Sequence, residues 1–205
     1  MFVEPYLNPQ NRIGWIEVIC GSMFSGKTEE LIRRVNRALI AKQDVIIFKP
    51  ALDKRYHADR VVSHNRNEVT SVPVEQASQI LLHAEPYEVV AIDEAQFFDS
   101  ELTQVCTALA SKGKRVIISG LDMDYAGKPF GVMPQLMSIA EFVTKVHAIC
   151  VCCGSMASFS FRLVHSDQQV LLGEKESYEP RCRACFEQGM QEYQPKIEVK
   201  KLLNS

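Results

Sequence analysis

The residues from Gly21 to Thr28 carry the clearest chemical signal in the sequence. They spell Gly-Ser-Met-Phe-Ser-Gly-Lys-Thr and match the pattern G-x-x-x-x-G-K-[ST] at every fixed position. In such a loop the glycines let backbone N–H groups converge on phosphate oxygens, and the following helix adds its positive N-terminal end. Lys27 would supply a charge to the β- and γ-phosphates, and Thr28 a hydroxyl to Mg²⁺. The segment therefore predicts binding of a nucleoside triphosphate.

Two adjacent acidic residues, Asp93 and Glu94, follow the apolar run Val89-Val-Ala-Ile92. A buried strand that ends in acids is typical of the second nucleotide-binding element in proteins with such a loop. Asp93 would face the Mg²⁺ shell, and Glu94 is placed to take a proton from the group that attacks the γ-phosphate. If Glu94 activates water the protein is an ATPase, and if it activates a substrate hydroxyl it is a kinase.

Five of the seven cysteines lie in one short C-terminal stretch. They occur as Cys150-Val-Cys152-Cys153 and as Cys182-Arg-Ala-Cys185. Two Cys-x-x-Cys pairs can close a tetrahedral Zn²⁺ site, and the odd cysteine count argues against a disulfide framework. Cys152 is then the spare thiol, and the long interval between the pairs must be looped out of the metal site.

Short apolar runs alternate with helical patterns from residue 14 to about residue 150. This alternation predicts a parallel sheet covered by helices. Residues 53–70 are polar and are predicted to form an irregular loop, and the alternation stops at about residue 149. The predicted strands are Trp15–Cys20, Val45–Phe48, Val89–Ile92, Arg115–Ser119 and Val143–Ile149, and the predicted helices are Thr28 to about Lys42, Ser78–His83 and Leu102–Ala110.

The composition excludes several classes of protein. Hydrophobic residues make up 46% and charged residues 23%, and 23 Lys+Arg against 25 Asp+Glu leave a net charge of −2. Intrinsic disorder, collagen-like and coiled-coil structures do not fit these values, and no global attraction to nucleic acid or anionic membranes follows. The sequence shows neither a membrane span nor the features of a secretory signal. We expect a cytoplasmic protein.

Four segments in combination resemble the type II thymidine kinases, the zinc-containing family of many bacteria and of animal cytosol. They are the loop at 21–28, Asp-Glu-Ala-Gln-Phe-Phe at 93–98, Gly120-Leu-Asp-Met-Asp-Tyr125 with Lys128-Pro-Phe-Gly131, and the two cysteine pairs. The resemblance covers about residues 14–186. It implies an α/β fold with a recombinase-like P-loop core at 14–149, a small zinc-binding lasso domain at 150–190 that covers the nucleoside, and a flexible tail at 191–205.

The resemblance also implies the activity. Members transfer the ATP γ-phosphate to the 5′-hydroxyl of thymidine, giving dTMP, with Mg²⁺ and with deoxyuridine as a second substrate. Glu94 resembles their general base, and structural Zn²⁺, feedback inhibition by dTTP and a homotetramer are further expectations, without a nucleic-acid or membrane partner. A kinase of another deoxynucleoside remains an alternative. So does a zinc-bearing P-loop ATPase or nucleic-acid-binding module, because Asp93-Glu94-Ala95-Gln96 also resembles a helicase box.

The contacts with ATP and metal ions follow from the same resemblance. Asp53 and Arg55 match the family's Asp-x-Arg pair near Mg²⁺ and the phosphates, and Thr28 and Asp93 are the implied Mg²⁺ ligands. The implied ATP-binding residues are Gly21, Ser22, Met23, Phe24, Ser25, Gly26, Lys27, Thr28, Asp53, Arg55, Asp93, Glu94, Ala95 and Gln96. The implied zinc ligands are Cys150, Cys153, Cys182 and Cys185, which would anchor both ends of the lasso in a closed, structural site.

The nucleoside contacts are implied in the same way. Tyr125 stands where the family usually has a Phe that stacks on the thymine ring, and an aromatic face suits a flat base. Ser160 falls near the position of the 5-methyl group, and backbone groups of residues 169–173 would recognise the pyrimidine edge. Gly173-Glu174 stands where the family often has Gly-Gly. The implied contacts are Met23, Phe97, Leu121, Tyr125, Ser160, Gln169, Val170, Leu171, Leu172, Gly173 and Tyr178.

Overall fold

A parallel sheet forms the centre of the computed structural model, which describes residues 13–51, 60–62, 68–164 and 177–192. The strands are β1 (Trp15–Gly21), β2 (Val45–Pro50), β3 (Arg60–Val62), β4 (Glu68–Thr70), β5 (Val72–Val74), β6 (Val89–Ile92), β7 (Arg115–Gly120), β8 (Phe142–Val146), β9 (Ala148–Ile149), β10 (Met156–Ala157), β11 (Phe159–Arg162) and β12 (Tyr178–Arg181). The helices are α1 (Lys27–Ile40), α2 (Ser78–His83), α3 (Leu102–Ser111), α4 (Met133–Ile139) and α5 (residues 183–192), with a 3₁₀ turn at Ala95–Phe97.

The main sheet has the order β5-β2-β6-β7-β1-β8, and every neighbouring pair of its strands is parallel. The carboxyl ends of all six strands therefore meet at one edge. In open parallel sheets this edge is where ligands bind. Strands β1 and β6 lie on either side of β7, so the phosphate loop after β1 and the acidic pair after β6 share that edge.

Alternate side chains of β1 pack against helices on opposite faces of the sheet. Ile16, Val18 and Cys20 pack with residues of α2, α3 and α4 in one buried cluster. Ile19 faces the other way and packs with Leu31 and other residues of α1. The sheet is thus covered on both faces, and the parallel sheet predicted from the sequence is confirmed.

A buried ion cluster joins α1 to the sheet. Glu17 of β1 accepts hydrogen bonds from Arg34 Nη1 at 2.9 Å, from Arg115 Nε at 2.7 Å and from Trp15 Nε1 at 2.6 Å. Arg34 also donates to Thr144 Oγ1 of β8 at 2.9 Å. A buried charge is tolerated when it is paired and hydrogen-bonded in this way. The cluster fixes α1, and with it the phosphate loop, relative to the sheet.

Two antiparallel strand pairs follow the main sheet. Strand β9 pairs with β10, and β11 pairs with β12. Phe159 and Phe161 of β11 pack with Phe186 of α5, with the rings of Phe159 and Phe186 stacked at 4.5 Å. Within the described residues no helix is long and apolar enough to cross a membrane.

Several elements differ from the prediction. The strand predicted at 143–149 is two strands separated by His147, of which β8 joins the main sheet and β9 does not. The prediction of an irregular loop at 53–70 is wrong where the segment is described, because β3 and β4 pair there. Residues 191–192 extend α5, so the predicted tail begins inside a helix, and the rest of it lies outside the described residues. The sequence patterns also missed β5, α4 and the β11–β12 pair.

Candidate active site

The phosphate loop depends on glycine at its first fixed position. Gly21 has a φ of 150°, and a Cβ there would lie 2.2 Å from the carbonyl oxygen of Val146. Gly26, at the end of the loop, has a φ of 84° and immediately precedes α1, which begins at Lys27. Phe24 also has a positive φ, of 62°. The loop therefore turns tightly from β1 into the N-terminus of α1, the geometry that an anionic phosphate requires.

The carbonyl oxygen of Ser22 organises the loop from within. It accepts a hydrogen bond from Lys27 Nζ at 2.8 Å and another from Ser25 Oγ at 2.7 Å. The ammonium group of Lys27 consequently lies against the loop backbone. This is where it could meet phosphate oxygens bound by the loop.

Thr28 and Asp93 come together from different elements. Thr28 Oγ1, in the first turn of α1, donates to Asp93 Oδ2 at 3.5 Å. Burial, and then the charge of Glu94, raises the pKa of Asp93 to about 7. A cation beside a buried carboxylate favours its ionised form, and hydroxyl and carboxylate oxygens are the ligands that Mg²⁺ prefers. The two residues therefore fit the magnesium site that the sequence predicts.

Glu94 occupies a backbone conformation that is rare for its residue type. Its φ of 53° and ψ of 42° lie in the left-handed region, directly before the 3₁₀ turn Ala95–Phe97. Its backbone N–H is held by Asp93 Oδ1 at 3.0 Å, and its carbonyl accepts from Phe97 N at 3.1 Å. Such strain costs on the order of 1–3 kcal/mol and clusters at functional sites. The two acids have different partners, Thr28 for Asp93 and Gln96 for Glu94, so they can act differently.

Gln96, predicted as an ATP contact, is buried in the structure. Its side-chain amide bridges the Glu94 carboxylate and the backbone N–H of Leu121. Ala95 is buried beside it. Phe97, predicted to line the base site, meets the ring of Phe130 edge-on at 5.7 Å. The segment 93–98 is thus packed against the residues that follow β7.

Tyr125 and Tyr178 are brought together by Arg162, a residue that the sequence analysis did not identify. The Arg162 guanidinium carbon lies 3.5 Å from the centre of the Tyr125 ring, and Arg162 Nη2 donates to the Tyr178 hydroxyl at 2.9 Å. Arg162 is 2% exposed. The alternation in Phe-Ser-Phe-Arg at 159–162 was the available signal for a strand, but it does not reveal what the arginine contacts.

Ser160 contacts the phosphate loop directly. Its hydroxyl oxygen accepts a hydrogen bond from the backbone N–H of Met23 at 2.9 Å, and Ser160 is buried. The sequence placed Ser160 near a methyl group of the base and gave no indication of this bond. Since Ser160 belongs to β11, together with Arg162, the bond places the paired tyrosines beside the phosphate loop.

Some predicted site residues cannot be compared with the structure. Asp53 and Arg55, as well as Gln169, Val170, Leu171, Leu172 and Gly173, lie outside the described residues.

The sulfur atoms of Cys150, Cys153, Cys182 and Cys185 all lie within 4.8 Å of one another. Tetrahedral Zn–S bonds of about 2.3 Å separate the sulfurs by about 3.8 Å, and the Cys153 and Cys182 sulfurs are 3.6 Å apart. The four residues therefore fit a zinc ion. Cys152 is exposed and outside this cluster, as the spacing predicts.

The backbone around the cysteine cluster favours the thiolate form of Cys150. Burial opposes ionisation of Cys150, but the backbone N–H groups of Cys182, Cys153 and Cys152 outweigh it and lower the pKa of Cys150 to about 6. The first pair is closed by a turn in which Gly154 N donates to the Cys150 carbonyl at 2.9 Å, with a φ of 75° at Gly154. Because the thiolate is the form that binds zinc, these hydrogen bonds favour metal binding by Cys150.

Comparisons with known proteins agree on one family. A family model described as thymidine kinase matches residues 14–186. A thymidine kinase of Bacteroides fragilis strain YCH46 is 58% identical over 192 residues, which are 94% of this chain and 96% of the relative. Thymidine kinases of Bacteroides thetaiotaomicron and of Rhodothermus sp. are each 59% identical; the matched residues are 91% of this chain in both cases, and 94% and 88% of the respective relatives.

A solved structure shows a looser similarity. Domain III of the replication initiation protein DnaA from Thermotoga maritima is 17% identical and has a TM-score of 0.40. The match covers 64% of this chain and 54% of that one. This similarity is too low to support a conclusion on fold or function.

Proposed function

The chain belongs to the thymidine kinase family, and we propose that it transfers the γ-phosphate of ATP to the 5′-hydroxyl of thymidine, and of deoxyuridine, to give dTMP. The bond between Met23 of the phosphate loop and Ser160 is the observation that carries this proposal. It puts a pair of aromatic side chains next to the loop that would hold the triphosphate. An ATPase needs no such second site, whereas a nucleoside kinase does.

The phosphate loop would hold ATP, with Lys27 at the β- and γ-phosphates. Thr28 and Asp93 would hold Mg²⁺, and their separation of 3.5 Å supports a shared ligand role. When bound, the ion would neutralise charge that develops on the transferring phosphoryl group. Asp53 and Arg55 remain predicted contacts from the family resemblance.

Glu94 would act as the general base. Its carboxylate accepts the proton of the thymidine 5′-hydroxyl while that oxygen forms its bond to the γ-phosphorus, and the bond from this phosphorus to the bridging oxygen breaks to release ADP. The left-handed backbone of Glu94 supports a special role, because such a conformation persists only where the surroundings impose it.

The base would lie against Tyr125. Arg162 stacks on this ring at 3.5 Å and also binds the Tyr178 hydroxyl, so both tyrosines are fixed before any ligand arrives. A preorganised aromatic surface binds a flat base at a lower entropic cost. Met23, Phe97, Leu121, Ser160 and the backbone of residues 169–173 are the remaining proposed contacts.

Zinc would be structural in this enzyme. With Cys150, Cys153, Cys182 and Cys185 as ligands, all four tetrahedral positions come from the protein and none is open for chemistry. We propose a boundary near residue 149, with the zinc segment at 150–190 as a lasso domain beside the core at 14–149.

The remaining proposals concern partners and location. We propose inhibition by dTTP, a homotetramer, no nucleic-acid or membrane partner, and a cytoplasmic location. The free thiols support a reducing compartment. Competition of dTTP with thymidine and the mass of the protein in solution test the first two proposals. Absence of competition, or a monomer, would refute them.

Phosphorylation of thymidine by the purified protein, compared with the Glu94→Gln variant, tests the function. We expect dTMP from the wild type and a loss of about 10²–10⁴-fold in kcat in the variant, the usual cost of removing a general base. ATP consumption that is equal with and without thymidine would refute the proposal in favour of an ATPase. A panel of deoxynucleosides distinguishes thymidine from another acceptor.

A further inference from the structure

Gln96 lies between Glu94 and the residues that follow β7, and it is 3% exposed. Its Oε1 accepts a hydrogen bond from the backbone N–H of Leu121 at 2.9 Å, and its Nε2 donates to Glu94 Oε2 at 2.5 Å. A backbone N–H can only donate, so the amide oxygen must face Leu121 and the NH₂ group must face Glu94. The orientation of the amide is therefore set by the main chain.

Two glycines allow the neighbouring backbone to approach Gln96 closely. A Cβ on Gly120 would lie 2.9 Å from Gln96 Oε1, and a Cβ on Gly131 would lie 2.3 Å from the Gln96 carbonyl oxygen. Gly131 also has a φ of 52°, which favours glycine. Both glycines occur in the segments at 120–125 and 128–131 that the sequence analysis singled out. The residues after β7 therefore pack directly against Gln96, Gly120 against its side-chain amide and Gly131 against its backbone.

The carboxylate of Glu94 needs such support. Glu94 follows the buried strand β6, but its backbone is in the left-handed region. The alternation of side chains along the strand therefore does not set the direction of the Glu94 side chain. The 3₁₀ turn fixes its main chain through Phe97. The hydrogen bond from Gln96 Nε2 acts on the carboxylate itself and orients it.

We propose that Gln96 is the positioning residue of the general base: it holds the Glu94 carboxylate toward the 5′-hydroxyl, and it does not act as a contact for ATP. This inference rests on the proposed function. The amide oxygen and one amide hydrogen of Gln96 are already engaged within the protein, and the side chain is buried. Its contribution is therefore to the orientation of the reacting group and appears in kcat.

The Gln96→Glu variant isolates the interaction. It keeps the length of the side chain and an acceptor for Leu121 N–H, but it presents an oxygen to Glu94 in place of the NH₂ donor. We expect kcat to fall by about 10- to 100-fold, as small misplacements of catalytic groups do. KM for ATP and for thymidine should each change by less than about threefold. The Gln96→Met variant, which removes both hydrogen bonds, should show the same pattern.

Matched controls separate this role from a general loss of structure. Gln104→Met changes the same residue type at an exposed position on α3 and should leave kcat unchanged. In a Glu94→Ala background, Gln96→Glu should cause little further loss, because a residue that acts through Glu94 has nothing left to position. A purely structural role would lower activity in both backgrounds.

Each outcome distinguishes the inference from the function on which it rests. A large rise in KM for ATP with unchanged kcat would make Gln96 a nucleotide contact and overturn the inference. Full kcat in Gln96→Glu, or equal losses with and without Glu94, would overturn it as well while leaving the kinase intact. A wild-type protein that does not phosphorylate thymidine would instead refute the proposed function, and the inference with it.

Discussion

At the scale of single residues, Arg162 contacts two proposed site residues, although no sequence pattern connects it with them. It stacks on Tyr125 and donates to Tyr178, and it is buried in doing so. Guanidinium groups suit this role because they are planar and keep their charge. Two of the aromatic side chains proposed for the nucleoside site, Tyr125 and Tyr178, thus depend on one cation.

Replacing Arg162 should therefore weaken nucleoside binding selectively. For Arg162→Met we expect KM for thymidine to rise by at least about tenfold, since a cation–π contact and a charge-assisted hydrogen bond are lost together. KM for ATP should change little, because the phosphate loop connects β1 to α1 and its conformation depends mainly on these two elements. Steady-state kinetics with each substrate varied in turn measure both values.

Arg183→Met is the matched control. Arg183 lies 5.0 Å from the Phe159 ring, and its side chain is 75% exposed. A partly solvated cation over a ring contributes little, so we expect KM for thymidine to stay near the wild-type value. Equal rises in the two variants would mean that loss of any arginine in this segment disturbs the site, and Arg162 would lose its special role.

The sequence identified the residues of the site better than it predicted the contacts that they make. The loop at 21–28, the Asp93–Glu94 pair and the cysteines follow spacing rules that reflect fixed local geometry. The bonds of Ser160 to Met23 and of Gln96 to Leu121 join residues 137 and 25 positions apart. No local pattern encodes such pairs, because they depend on how complete elements pack.

At the scale of elements, α1 is fixed by the buried charge of Glu17. Arg34 is fully buried and binds both Glu17 and Glu30, whereas its neighbour Arg33 is 44% exposed and forms an ion pair with Glu30. The two arginines therefore offer the same substitution in two environments, one residue apart on the same helix.

We expect Arg34→Met to lower the free energy of unfolding by about 3 kcal/mol, the lower end for loss of one partner in a buried pair. The value lies at the lower end because Arg115 still binds Glu17. Arg33→Met should cost about 0–1 kcal/mol, as exposed pairs do. Urea denaturation of both variants measures the difference, and equal losses would contradict a special role for the buried cluster.

Prediction of elements succeeded for several segments whose apolar pattern is bounded by polar residues. Strand β6 and helix α2 have the predicted bounds, and α1 differs by two residues or fewer at each end. Helix α4 was missed; it carries Pro134 in its first turn, and proline in a sequence more often marks a turn or loop. The division between β8 and β9 was missed because no Gly or Pro marks a break at His147, while the pairing partner changes there.

At the scale of the whole molecule, the zinc cluster joins chain segments that the main sheet does not hold together. Cys150 and Cys153 follow β9, and Cys182 follows β12, with the strand β11 that binds the phosphate loop in between. Fixing both ends of this stretch lowers the entropic cost of ordering it. The cluster was predictable from spacing, but its connection to the phosphate loop through Ser160 was not.

Removal of zinc should therefore damage thymidine binding more than ATP binding. For Cys185→Ser we expect loss of the bound metal and a large rise in the Kd for thymidine, because β11 and β12 lose their common anchor. Binding of ATP, which depends on the loop between β1 and α1, should be retained within about threefold. Zinc content by elemental analysis and nucleotide binding by calorimetry provide these values without relying on turnover.

Cys152→Ser is the control for this prediction, since Cys152 is an exposed thiol next to a proposed ligand and outside the cluster. It should keep about one equivalent of zinc, because a four-coordinate structural site needs no fifth sulfur. Loss of metal in Cys152→Ser would mean that the ligand set is wrong. Loss of ATP binding in Cys185→Ser would mean that the zinc segment stabilises the whole fold. Unchanged thymidine binding after complete loss of zinc would contradict the role of the cluster as the anchor of the nucleoside site.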